Sequence, residues 1–200
     1  MPTTTRLIVI IHGIHTSKER AASWMPALGR HLKGDDTACA VNVYTYGWRS
    51  GTAMRFPIVG WFSRRARVKR FQRHIAKLRL LYPGAKIQVV AHSYGTWISH
   101  YAMAKGKLEM RTWYDDIVYM GSIVHQDEYG KSVPVGRAIN LYSPDDKVVD
   151  GAPGFGESGT VGFVPAGNGR IENKHMSGYR HGHYLEPGLA WDTARDFLVS

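Results

Sequence analysis

The sequence has a single cysteine, no long apolar run and comparatively few acidic residues. One cysteine, Cys39, cannot form a disulfide within the chain, and such sparse use of cysteine is typical of a reducing compartment. The apolar run that follows Arg6 is too short for the core of a signal peptide and far too short to cross a bilayer. We therefore predict a cytoplasmic protein, with a peripheral position at a membrane as an extension of that prediction.

Acidic residues are outnumbered by 26 basic to 16 acidic side chains, which gives a formal net charge of +10. The excess is concentrated in residues 64–79, which contain eight basic side chains and no acidic one. Val68, Phe71 and Ile75 recur there at helical spacing, which predicts an amphipathic helix with a cationic face. Such a face suits an anionic membrane surface, nucleic acid or an acidic partner, or it is simply solvated. We predict an anionic membrane surface as the partner of Arg64–Arg79 and expect no nucleic acid.

The length and the alternation of apolar patterns predict one α/β domain over residues 1–200. With 44% hydrophobic residues the chain can bury one sizeable core. Apolar runs typical of buried strands alternate with helical stripes, and parallel neighbours need such crossovers. The fold class is therefore a three-layer sandwich with a mostly parallel central sheet of about five to six strands. The predicted strands cover residues 6–11, 40–48, 86–92, 116–124 and 137–143, and a final helix covers 187–199.

The segment "AHSYG", residues 91–95, places a serine where a predicted strand passes into a helix. A sharp turn of this kind, a nucleophile elbow, exposes the hydroxyl and needs small residues two positions before and after it. Ala91 and Gly95 meet that need, although Ala91 adds a methyl group where glycine is usual. The pattern alone is common by chance, so its place between strand and helix makes Ser93 the candidate nucleophile.

A nucleophilic serine needs a histidine base, an acid that orients it and donors for the oxyanion. "SPDDKVV" supplies Asp145 and Asp146 after the fifth strand, and "RHGHYL" supplies His181 and His183 before the last helix. Pro144 would set Asp145 at the tip of a turn, which favours Asp146. The order Ser, Asp, His is the one that this architecture uses.

Two further groups of residues have predicted places near the elbow. The "HG" dipeptide at the end of the first strand brings the backbone N–H of Ile14 close, so that it could form an oxyanion hole with that of Tyr94. His15 is the alternative donor there, and Asp127 is a third choice of acid. "HGIH" and "HGH" would also suit a metal, but no H-E-x-x-H or cysteine cluster accompanies them, so we expect no metal and no cofactor.

Together, the "HG" dipeptide and the "AHSYG", "SPDDKVV" and "HGHY" segments resemble the α/β-hydrolase superfamily, in its broad group of serine esterases and lipases. The resemblance covers nearly the whole chain, and it implies a Ser93–Asp146–His181 triad that transfers an acyl group to water. The family's D-x-x-V and terminal H-x-x-Y patterns favour Asp146 and His181 over their neighbours. Antiparallel strands before the first parallel strand and an HGGG run are both missing here.

The substrate predicted on this basis is a small-molecule or lipid ester. Residues 49–66 combine apolar side chains such as Met54, Phe56 and Trp61 with the first arginines of the basic segment. This composition suits a lid or an interfacial segment, or a loop folded over the core. The alternative function is a catalytically inactive α/β-hydrolase scaffold that binds nucleic acid or an acidic partner through its basic helix.

Overall fold

The computed structural model describes residues 5–13, 18–45, 57–104, 114–129, 136–150, 154–164 and 171–200. Six strands and six helices are assigned within these residues, in the order expected for an α/β fold. The strands are β1 Arg6–Ile11, β2 Cys39–Tyr44, β3 Lys86–His92, β4 Asp116–Met120, β5 Arg137–Tyr142 and β6 Ile171–His175. The helices are α1 Lys18–Lys33, α2 Pro57–Leu81, α3 Tyr94–Ala104, α4 Lys147–Asp150, α5 Ser158–Val161 and α6 Leu189–Val199.

All six strands pair in parallel, in the order β2-β1-β3-β4-β5-β6. This sheet confirms the predicted α/β sandwich, and the first five strands overlap the predicted apolar runs. Two of them end earlier than predicted, β2 at Tyr44 and β4 at Met120. Strand β6 was not predicted, because only Ile171 is buried in it while Glu172, Lys174 and His175 are exposed. An edge strand with so little apolar burial has no periodic signal in the sequence.

Apolar side chains cover both faces of the sheet and form two separate cores. On one face Phe71 and Ile75 of α2 pack with Ile98 of α3 against the strands. On the other face Leu28 of α1 and Trp191 of α6 do the same. The helices therefore form the two outer layers, and all strands end at one edge of the sheet, where ligands bind in open α/β sheets.

Helix α2 contains the basic segment and begins within the predicted lid segment, whose residues 49–56 lie outside the described part of the chain. The predicted apolar stripe is confirmed, since Val68, Phe71, Ile75 and Leu78 are buried. The basic residues divide into two groups. Those in the middle of the helix are exposed, namely Arg65, Lys69, Arg70, Arg73 and Lys77. Three others are held by the protein instead of facing only water, namely Arg64, Arg67 and Arg79.

None of the helices in the described ranges combines the length and the apolar character needed to cross a membrane. Helix α2 is the longest of them, with 25 residues, but its basic side chains interrupt every apolar stretch.

His100 of α3 is fully buried, and this burial lowers its pKa to about 4. The unfolded chain takes up a proton on this histidine below pH 6.5, whereas the folded protein does so only near pH 4. Stability is therefore complete above pH 6.5 and falls as the pH drops from 6.5 towards 4, by up to about 3 kcal/mol from this residue. We expect the unfolding free energy of His100→Gln, measured by urea titration at each pH, to fall less steeply over that range. Equal slopes in the two proteins would contradict this assignment.

Candidate active site

Ser93 occupies the turn between β3 and α3 with a backbone φ of 53°, and it is the one non-glycine residue of the described chain with positive φ. A side chain in this region costs on the order of 1 to 3 kcal/mol and persists only where the surroundings hold it. The Ser93 N–H donates to the carbonyl oxygen of Met120 at 3.0 Å, and the Ser93 carbonyl accepts the N–H of Thr96 at 2.8 Å. Both hydrogen bonds fix the turn from neighbouring elements. The strand-to-helix elbow at Ser93 is thus present in the fold.

Two glycines allow the end of β1 to approach this turn. A methyl group at Gly95 would lie 2.7 Å from the carbonyl oxygen of Ile11, and one at Gly13 would lie 2.7 Å from Cβ of Ser93. Neither distance is compatible with a larger residue unless the backbone moves. The small residue that the elbow pattern requires at position 95 is therefore explained by close contact between Gly95 and the end of β1 with the loop after it.

His181 and Asp146 form a hydrogen-bonded pair. His181 Nδ1 lies 2.8 Å from Asp146 Oδ2, and the carboxylate is fully buried while the imidazole is 16% exposed. The second oxygen, Oδ1, accepts the backbone N–H groups of Val148 and Val149 at 3.2 and 3.3 Å. These donors fix the carboxylate as an acceptor, so that Nδ1 of His181 carries the proton and Nε2 is left as the basic nitrogen.

The other candidates for the acid and the base have different surroundings. Asp145 is exposed, and its Oδ2 accepts the N–H of Gly178 at 3.2 Å, which connects the loop after β5 to the loop that carries His181. His183 is also exposed, and its Nδ1 accepts the N–H of Arg180 at 3.2 Å. Asp127 is exposed beyond β4, whereas Nδ1 of His181 is paired with Asp146.

Gly121 connects the pair to the serine. It follows Met120, whose carbonyl accepts the Ser93 N–H, and its own φ is 53°. A methyl group at Gly121 would lie 2.9 Å from Asp146 Oδ2 and 3.2 Å from His181 Nδ1. In the described chain no hydrogen bond joins the Ser93 hydroxyl to the His181 ring. In serine hydrolases without substrate the distance between these two groups is often long, and it shortens when substrate binds. Sequence reasoning missed Gly121, because a glycine after a strand is too common to signal its role.

His92, the residue before the serine, packs against His181 and forms a hydrogen bond to its backbone. Its ring packs against that of His181 with centroids 4.6 Å apart, and its Nε2 lies 3.2 Å from the His181 carbonyl oxygen. A carbonyl only accepts, so Nε2 of His92 carries a proton and donates it. Burial, followed by the nearby His181 ring, holds the pKa of His92 well below its ordinary value of 6.5. His92 therefore braces the His181 backbone without adding charge to the site.

The predicted oxyanion hole is described only in part. Tyr94 is the first residue of α3, and the N–H groups of a first helical turn point out of the helix towards its N-terminal end. Ile14 and His15 lie outside the described residues. Their place in the site remains a prediction.

A pocket of about 630 Å³ opens beside His181, on the side of the loop after β5. It is lined by Asp145, Lys147, Val148, Gly178, Arg180 and His181. Over the residues described, no group of three histidine, cysteine or acidic side chains is arranged to hold a metal ion. The pocket is therefore an open space of substrate size next to an imidazole and a buried carboxylate.

Part of the chain matches the model of a known protein family. A model of the family described as Lipase (class 2) matches residues 6–136, about two thirds of the chain, a range that includes Ser93 and ends before Asp146. No curated protein gives a significant match.

Several solved structures share the fold at low sequence identity. An esterase from Thermogutta terrifontis with propionate bound is 11% identical with a TM-score of 0.63, over 99% of this chain and 82% of that one. An α/β serine hydrolase without a lid from Xanthomonas campestris is 12% identical with a TM-score of 0.58, over 98% and 80% of the two chains. A gene product of Listeria innocua is 12% identical with a TM-score of 0.66, over 97% and 94%.

Proposed function

Because the chain belongs to the class 2 lipase family and has the α/β-hydrolase fold, we propose that it is a serine hydrolase that cleaves carboxylic esters. In this proposal Ser93 is the nucleophile, His181 is the general base and Asp146 orients the imidazole. The single observation that carries it is the strained turn at Ser93, which shares one edge of the sheet with the buried Asp146–His181 pair. Strained backbone conformations of this kind are concentrated at functional sites, where the surrounding structure holds them in place.

The chemistry follows from the protonation states of the pair. Nε2 of His181 takes the proton of the Ser93 hydroxyl while the oxygen attacks the acyl carbon. Asp146 stabilises the imidazolium that forms. The backbone N–H of Tyr94, and by prediction that of Ile14, donates to the oxygen that becomes negative. His181 then gives its proton to the leaving alkoxide, and the same groups activate water to release the acid from Ser93.

The substrate class is proposed as a lipid or other acyl ester. The Thermogutta terrifontis esterase is described with propionate bound, which makes short acyl chains the first substrates to try. A contact between an anionic membrane and the exposed basic residues of α2 stays a prediction, as does the cytoplasmic location.

A fluorophosphonate probe tests the proposal, because it phosphonylates only an activated serine. We expect wild-type protein to be labelled, and Ser93→Ala to lose the label completely while keeping the thermal melting temperature of the wild type. Ser99→Ala is the matched control, since Ser99 lies in α3, the helix that begins directly after Ser93, and its hydroxyl donates to the Gly95 carbonyl. A wild type that takes up no label would instead support the inactive scaffold.

A further inference from the structure

Two cationic residues line the pocket beside His181. Lys147 is the first residue of α4, Arg180 lies in the loop after β6, and both border the same cavity of about 630 Å³. Lys147 directly follows Asp146, and Arg180 directly precedes His181. Since neighbouring Cα atoms lie about 3.8 Å apart, each cation is anchored beside one member of the hydrogen-bonded Asp146–His181 pair. The positive charge of the pocket is therefore adjacent to the proposed base.

Hydrogen bonds connect the two walls of this pocket. Asp145 Oδ2 accepts the Gly178 N–H at 3.2 Å, and the contact of 2.8 Å between Asp146 and His181 is a second link. Each link joins the chain after β5 to the chain after β6. The two cations are therefore carried by segments that are fixed to each other by the fold.

The cations of the pocket are not neutralised by the part of the chain that the structure describes. Neither Lys147 nor Arg180 forms an ion pair with a described carboxylate, and both residues are exposed. Asp145 is the acidic residue of the lining, and one of its oxygens already accepts a backbone N–H. Val148, with 58% of its surface exposed, adds an apolar wall. The lining therefore has an excess of positive charge beside an apolar surface.

The proposed mechanism brings the alcohol half of an ester to His181. The leaving oxygen must come within hydrogen-bond distance of Nε2 of His181 to receive its proton. The rest of the alcohol extends from that oxygen, and the pocket that His181 lines is an open space next to it. A group attached to the alcohol therefore meets the excess positive charge of the pocket.

We propose that the pocket binds a phosphate group on the alcohol half of the substrate through Lys147 and Arg180, so that the preferred substrates are acyl esters of phosphorylated alcohols. The inference rests on the proposed function and adds the substrate class. A phosphate monoester has a charge of about −1.5 to −2 at neutral pH, which matches two cations better than a carboxylate does. The guanidinium of Arg180 offers two parallel N–H donors, and Lys147 offers a compact point charge. Hydrolysis consumes one water and releases the free acid and the phosphorylated alcohol.

Two butyrate esters test the proposal, namely 1-butyrylglycerol and 1-butyrylglycerol 3-phosphate, with the released butyrate measured by chromatography. The readout is the ratio of kcat/KM for the phosphate ester to kcat/KM for the neutral ester. We expect a ratio above one in wild type, and a fall of about tenfold in Lys147→Gln and in Arg180→Gln, as for loss of a charge-assisted hydrogen bond. Arg180→Lys keeps the charge but not the planar fork, so it should lower the ratio less than Arg180→Gln does.

Arg30→Gln and Lys174→Gln are the matched controls. Both residues are exposed, neither lines the pocket, and each variant removes one positive charge. The controls should leave the ratio unchanged. A wild-type ratio of one or less would overturn the proposal, as would an unchanged ratio in Lys147→Gln or in Arg180→Gln. An equal fall in the controls would also overturn it, because it would indicate general attraction of anions by a basic protein.

Inhibition by glycerol 3-phosphate locates the phosphate without using it as part of a substrate. We expect it to compete with p-nitrophenyl butyrate in wild type, with an inhibition constant that rises about tenfold in Lys147→Gln and in Arg180→Gln. Damage to the loop of His181 would lower turnover of every ester, and the inhibition constant would still report phosphate binding. Absent or non-competitive inhibition would overturn the proposal. Wild type that hydrolyses none of these esters and takes up no fluorophosphonate label would instead reject the proposed function.

Discussion

His181→Ala is expected to lower kcat for a p-nitrophenyl ester by roughly 10⁴-fold or more, as removal of a triad base does in other serine hydrolases. The variant keeps Ser93 in its turn but leaves no base for its proton. The partner Asp146 would remain buried and lose its imidazole, so the melting temperature of the variant should be compared with that of the wild type. Stopped assays at saturating ester give kcat directly.

His183→Ala is the control for this experiment, because His183 lies two residues away in the same loop. Its ring is exposed and bonds only the Arg180 N–H in the described structure, so we expect a change in kcat of a few-fold at most. Near-normal turnover in His181→Ala together with collapse in His183→Ala would mean that the base has been assigned to the wrong residue.

Asp146→Asn is the second large effect, with an expected loss in kcat of roughly 10³- to 10⁴-fold. Oδ1 of Asp146 accepts two backbone N–H groups, so the asparagine would keep its oxygen there and turn its NH₂ towards His181. An NH₂ group can only donate, which favours the tautomer with the proton on Nε2. The base would then hold a proton at the position where it must accept one. The shape of the site would be almost unchanged.

Asp145→Asn provides the comparison, since it makes the same change one residue earlier. Asp145 is exposed, and an asparagine oxygen can still accept the Gly178 N–H, so we expect turnover within a few-fold of wild type. Equal losses of kcat in the two variants would show that either change displaces the loop after β5, and that the Asp146 carboxylate has no specific chemical role. A loss confined to Asp145→Asn would assign the acid to that residue.

The parts of the fold that the sequence predicted are those with a local cause. Strands β1 and β3 are short apolar runs buried on both faces, and the turn at Ser93 is marked by Gly95, which lies against the end of β1. Strand β6 was not predicted, because its place in the sheet depends on pairing with β5 and not on an apolar pattern of its own side chains. Its position matters, because the loop that follows it carries His181.

The choice between adjacent candidates in the site also depends on long-range packing. In "SPDDKVV", Pro144 favours an exposed Asp145 at the tip of a turn, but the complete burial of Asp146 depends on the surrounding loops. The contacts of the basic helix α2 also depend on residues that are distant in the sequence. Its periodicity predicted the apolar stripe, but the stacking of Arg64 on Phe155 joins residues 91 positions apart in the sequence, and no local pattern indicates it.

If Ser93 is the nucleophile, its hydroxyl forms a covalent acyl intermediate during turnover. The most direct measurement mixes the protein with p-nitrophenyl butyrate, quenches in acid within the first turnover and maps the tryptic peptides by mass. Cleavage after Lys86 and Lys105 gives one peptide, residues 87–105, that contains both Ser93 and Ser99. We predict a butyryl group on this peptide, with fragmentation placing it on Ser93. A butyryl group on Ser99 or another residue, or none at all in protein that releases p-nitrophenol, would contradict the account.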